Sequence, residues 1–135
     1  MHAKNTIHSS KSRGQSLVEL AFLLPILLLL VLGAMDVGRL FSVKITLTNA
    51  AREGANYLSR HPDEWTNTTN TVAAIQGEAS VLTGYQITAI QCSGSCDTGD
   101  TATVTVESSI PLISLSFFRA FGDIQLSSTV EMMVQ

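Results

Sequence analysis

The chain sets a single carboxylate, Glu19, directly before an apolar run from Leu20 to Met35. Carried on to Gly38, the run approaches the length needed to cross a bilayer. Counted from Leu20 to Gly38 at about 1.5 Å per residue, it spans roughly 28 Å, which places Asp36 near the far interface. A carboxylate deep in a bilayer costs roughly 2.5 to 3.5 kcal/mol on insertion scales, so Glu19 at the head of such a helix calls for a partner. Pro25 lies inside the run, where it removes one backbone hydrogen bond and can kink the helix; membrane helices tolerate this when neighbours re-satisfy the freed carbonyl. A harmless kink and a functional one are both open. A cleaved secretory signal is the competing reading of the run, with Val31-Leu32-Gly33 as a loose cleavage site. Against it, the run is long for a signal core, and helical patterning continues past it without a break.

The charges divide the chain. Lys4, Lys11 and Arg13 precede the run with no acid among them. Beyond His61 lie Asp63, Glu64, Glu78, Asp97, Asp100, Glu107, Asp123 and Glu131, against Arg119 alone. The positive-inside bias therefore keeps the N-terminus cytoplasmic and exports the bulk of the chain. With 135 residues, 45% hydrophobic and only 14% charged, the composition fits one small domain on a single span. An acidic exterior argues against nucleic acid as a partner, because phosphate neutralisation needs a basic face.

The pattern predicts three regions. Residues 1–14 are a polar, basic leader in which no fold is expected. Residues 15–61 form one long helix, its transmembrane span at about 20–38. Past the span, Leu40, Val43, Leu47, Ala50, Gly54 and Leu58 recur on one face. Asn49, Arg52, Glu53, Asn56 and Arg60 gather on the other, and Pro62 stops the helix. Residues 62–135 are an exported domain. There Asn70 caps a short helix carrying Val72, Ile75, Ala79 and Leu82 on one face, with Gly84 as its stop. The period then changes to two. Tyr85, Ile87 and Ala89 make one strand, Ala102, Val104 and Val106 a second, and Ile124 through Val134 a third. The class is α+β, with a three-stranded antiparallel sheet whose apolar face needs the exported end of the long helix laid across it. Leu115, Phe117, Phe118 and Phe121 form an apolar cluster between the last two strands. It reads either as a turn plugging the core or as a membrane-surface or partner contact.

Few residues are arranged for chemistry. Cys92 and Cys96 enclose a Ser-Gly-Ser turn in the exported part, and a small disulfide loop is the favoured reading ahead of free thiols or a metal. No second cysteine pair or neighbouring histidine completes a zinc set. Asp97-Thr98-Gly99 matches the aspartic protease tripeptide, but that chemistry needs two carboxylates sharing a proton in a cleft, whereas Asp and Gly here are ordinary turn residues. Asp97 with Asp100 falls short of a calcium shell. His2, His8 and His61 sit in no metal spacing and near no nucleophile. No phosphate loop follows a strand. Neither an enzyme, a cofactor nor a small-molecule substrate is expected.

The basic leader, Gly14-Gln15 and Glu19 before an apolar helix together resemble the type IV prepilin signal, and the resemblance implies cleavage after Gly14 by a membrane prepilin peptidase. Glycine leaves the backbone unhindered for such a cut, and the new amine at Gln15 can pair with the Glu19 carboxylate of a neighbouring subunit inside the bilayer. A solvated, idle Glu19 at headgroup level is the plainer alternative. The stretch Gly14-Gln15-Ser16-Leu17-Val18-Glu19-Leu20-Ala21, with Leu24-Pro25, Gly33 to Asp36, Gly38-Arg39 and Asn49-Ala50-Ala51-Arg52-Glu53-Gly54-Ala55, resembles the TadE-like minor pilins, or pseudopilins, of tight-adherence (Flp type) pilus systems. It covers about the first 60 residues; the sheet region is similar only in layout. The resemblance implies a pilin-like fold and a single-pass protein of the bacterial cytoplasmic (inner) membrane that helps assemble or prime an adhesive pilus. Other pilin-like subunits and the pilus assembly platform are its implied partners. Leu20 stands where the much shorter major Flp pilin has tyrosine, which favours a minor component. Gln15 replaces the phenylalanine of common type IV pilins, which leaves methylation of the new N-terminus open. The competing function is a static single-pass anchor whose acidic outer domain binds an envelope partner.

Overall fold

The computed structural model describes the backbone of residues 11–116 and 122–135 and the side chains of residues 14–114 and 122–135. Phe117, Phe118 and Phe121 of the apolar cluster, the Leu115 side chain, and His2 and His8 lie outside what it describes. One helix, α1 (Lys11–Arg60), forms the spine. Its 50 residues make a rod about 75 Å long. An 18-residue stretch of it has mean hydropathy 2.7 and no part buried within the chain, which is consistent with a single membrane anchor. The rod starts at Lys11, inside the stretch expected to be a leader without fold; apart from Gly14, nothing between Lys11 and Glu19 opposes helix. It passes through Pro25 without interruption, so the carbonyl one turn earlier loses its usual donor.

The remaining elements pack along the second half of the rod. A 3-10 turn (Pro62–Glu64) reverses the chain into α2 (Thr69–Ala79), which is followed by β1 (Tyr85–Cys92), β2 (Thr101–Ile110), the short α3 (Ile113–Ser116) and β3 (Ile124–Met133). The strands form one antiparallel sheet in the order β1-β2-β3. Its length is matched to the rod: from Asp36 to Arg60, α1 rises about 36 Å, and ten-residue strands such as β2 and β3 extend about 33 Å. Leu47, Ala50, Ala51 and Ala55 of α1 are fully buried against Ile75 and Ala79 of α2 and Val104 and Val106 of β2. The buried face of α1 is wider than the expected stripe, because α2 flanks one side of the helix while the sheet covers the other. Gly54 marks the closest approach: a Cβ there would stand 2.5 Å from Ile75 Cγ1.

Inward residues of β2 alternate without fault, Ala102, Val104, Val106, Ser108 and Ile110 all being buried. Along β1 the alternation slips. Ile87 pairs with Val106 but Ala89 with Thr105, so Thr88 is an extra residue in a bulge, and inward packing passes to Ile90 and Cys92. On the outer face, the Thr105 and Thr129 hydroxyls meet across the strands at 2.9 Å.

Two features of α2 differ from expectation. The N-cap is Thr68, with no side-chain cap bond, while the Asn70 amide donates to Glu64 Oε2 at 2.9 Å. The helix also ends at Ala79, before Gly84: the Leu82 N–H bonds back to the Ala79 carbonyl and the Ser80 hydroxyl to Gly77 O, closing the last turn. Gly84, with φ 75°, instead makes the bend into β1.

Candidate assembly site on the rod

Gly14, Gln15 and Glu19 all lie on the first turns of α1, exposed, with Gln15 and Glu19 one helical turn apart on the same face. The Gly14–Gln15 peptide bond is helical. Glycine there lowers the cost of unwinding by about 1 kcal/mol relative to alanine. Glu19 heads a surface of exposed apolar side chains that includes Leu20, Phe22, Leu23, Leu27 and Leu30. This surface continues past Gly38: Phe41 is 68% exposed, and Ile45 remains exposed one turn further on.

Asp36, expected near the far interface, has a defined task. Its side chain is 4% exposed, accepting the backbone N–H of Ile113 at 3.0 Å and of Ser114 at 2.7 Å, with the Arg39 guanidinium 3.8 Å away. The carboxylate thus satisfies the first amides of α3 and ties the β2–β3 connection to the rod. Nothing in the order of residues near Pro111 announces this contact, which joins positions 77 apart. Further along, Lys44 donates to the Ser127 carbonyl, and the Thr48 and Ser128 hydroxyls lie 3.0 Å apart.

At the far end the two cysteines form the expected disulfide, Cys92–Cys96. Cys96 is buried with Leu58, Ala102 and Val134, and it takes a positive φ of 65°. The β1–β2 loop that contains it is bonded to the C-terminal residues. Val134 donates to Asp100 O, Gly99 to Val134 O, and Gln135 to Ser59 O at the end of α1. Asp97 is exposed in this loop; its Oδ2 accepts the Ser95 hydroxyl, and its N–H donates to Asp100 Oδ2, both at 2.9 Å. These are turn contacts, and the 110 Å³ hollow lined by Gly84, Gln86, Glu107, Ser108, Ser109 and Gln125 does not include it. Among the described residues, no group of three or more His, Cys, Asp or Glu could hold a metal ion.

His61 caps the rod, its ring stacked on Tyr57 at 4.3 Å and its Nδ1 3.0 Å from the Tyr57 carbonyl. The Tyr57 hydroxyl donates to Glu64 Oε2 at 3.3 Å. Partial burial first, and then the Glu64 charge, push the phenol above its ordinary value.

No curated protein and no solved structure matches the chain. Residues 14–56, which run from the glycine before Gln15 to the last turns of the rod, match the family model described as TadE-like protein, so that segment of the chain is similar to the TadE-like family.

Proposed function

We propose that the protein is a minor pilin-like subunit that helps assemble or prime a tight-adherence pilus, drawing on a membrane pool processed between Gly14 and Gln15. The observation that carries this reading is Glu19 standing exposed at the head of an apolar rod, inside the segment that matches the TadE-like model. The cut removes the turn from Lys11 to Gly14 and leaves Gln15 as a charged amine at a new helix start. Glu19 then stands within the first turns of a helix whose N-terminus carries positive dipole charge. As rods pack side by side, that amine on one subunit meets the carboxylate of its neighbour, and each ion is spared the cost of standing alone in lipid.

The apolar surface beyond the span supports packing of rods. A helix that merely anchors a soluble head needs no exposed Phe41 and Ile45 outside the bilayer. With the N-terminus cytoplasmic and the sheet exported, the domain would ride beside the rod, and the prepilin peptidase and assembly platform would act on the inner-membrane end. The test is Glu19→Ala in the producing bacterium. It should insert in the membrane at normal level and abolish piliation; full piliation would remove the register role and leave the static anchor as the better reading.

A further inference from the structure

We propose that the turn formed by Leu112 and α3 is seated on the outer surface of the bilayer, with Ile113 in the boundary between lipid headgroups and acyl chains. The partner is the phospholipid surface around the protein's own span, and the inference rests on the reading of α1 as that span.

The placement follows from the Asp36 contact. The apolar run ends at Met35, so Asp36 marks the level at which the rod leaves the hydrocarbon. Both Asp36 oxygens are bonded to backbone amides of Ile113 and Ser114, at 3.0 and 2.7 Å. A peptide held at that distance cannot sit further from the membrane than one helical turn of α1. The segment that carries Ile113 and Ser114 is therefore held at the lipid surface by the same rod that crosses it.

The side chains at this level suit the location. Ile113 is 46% exposed, and Met35, one residue inward of Asp36 on the rod, is more open still. The Arg39 side chain, 46% exposed beside Asp36, reaches the depth of the phosphates. Apolar groups below and a cation at headgroup height are the pattern of an element lying in the interface plane. The carboxylate that would be costly at this depth is covered and engaged by two amides. Two attachments of the exported domain to the membrane, the rod and this turn, restrict its swing about the exit point.

The experiment uses the full chain in phosphatidylcholine vesicles with acyl chains brominated at shallow or deep positions. Trp65 is the sole tryptophan, so Trp65→Phe supplies a silent background. On it, Ile113→Trp should emit at shorter wavelength than Thr98→Trp in the distal loop, and should be quenched more by shallow than by deep bromines. Leu112→Trp gives an independent reading should Ile113→Trp fail to fold by circular dichroism. Leu29→Trp, within the span, should be quenched most by deep bromines. Solvent-like, unquenched emission from both turn variants while Leu29→Trp is quenched would overturn the seating and leave the span intact. Loss of quenching from Leu29→Trp would overturn both.

Discussion

Gly54→Ala separates two opposing effects whose sizes can be set against each other. Alanine in place of glycine in a helix interior stabilises by about 1 kcal/mol through propensity. The added methyl, however, would stand 2.5 Å from Ile75 Cγ1, 2.7 Å from Ile75 Cδ1 and 3.3 Å from Val104 Cγ1. Cδ1 could swing aside, but Cγ1 is fixed close to the backbone of α2, and Ile75 is fully buried with a β-branched, stiff χ1. Relief therefore requires α2 to move off α1, and overpacking of this kind costs about 3 kcal/mol at the upper end of its usual range. The difference leaves a net loss of about 2 kcal/mol. Trp65 is in the segment that connects α1 to α2, so denaturant unfolding of the detergent-solubilised full chain can be followed by its fluorescence. Ile75→Ala alone should cost about 2 to 5 kcal/mol through the cavity it opens, and the double variant should lose less than the sum, because the new methyl enters that cavity. A Gly54→Ala protein as stable as the parent, or more so, or strict additivity with Ile75→Ala, would refute the close approach of the two helices.

Two further outcomes follow from buried polar groups. The Thr71 hydroxyl is fully buried and the one such side-chain group without a hydrogen-bond partner among the described residues; Thr71→Val should raise stability by about 1 kcal/mol in the same unfolding measurement. Tyr57 has its pKa raised from 10.0 in the folded chain by partial burial and by Glu64. Its contribution to stability is therefore complete below pH 10.0 and is lost as pH rises from there through the higher folded value. Tyr57→Phe should flatten that decline, and an absorbance titration of tyrosinate should show the late-titrating phenol missing from the variant.

The periodic parts of the fold were legible because each buries one face. The stripe of Leu40, Val43, Leu47, Ala50, Gly54 and Leu58 does face the domain, and the alternation of Ala102, Val104 and Val106 is that of β2. Legibility ended where long-range contacts decide. Two apolar residues in a row, Ala89 and Ile90, were the local trace of the β1 bulge, but only pairing with Thr105 shows which of them turns inward. Gly84 looked like a helix stop because glycine often is one, while the true end at Ala79 is set by the Ser80 hydroxyl and a backbone turn that any sequence could make. Asp36 was visible as an acid at the end of the span, yet its partners are main-chain amides, which carry no sequence signature. The Cys92–Cys96 bond was legible from the spacing of the two cysteines and the export expected from the charge distribution. For Gly14, Gln15 and Glu19, the motif is in the sequence and the structure leaves all three exposed, while the pairing proposed for them belongs to an assembly of several chains.

That pairing depends on a terminal amine at Gln15, so the mass of the intact protein extracted from membranes of piliated cells tests the account most directly. A mature chain lighter by the fourteen residues that end at Gly14, restored to full length by Gly14→Leu together with loss of fibres, is the predicted result. A chain still beginning at Met1 in cells bearing normal fibres would contradict it.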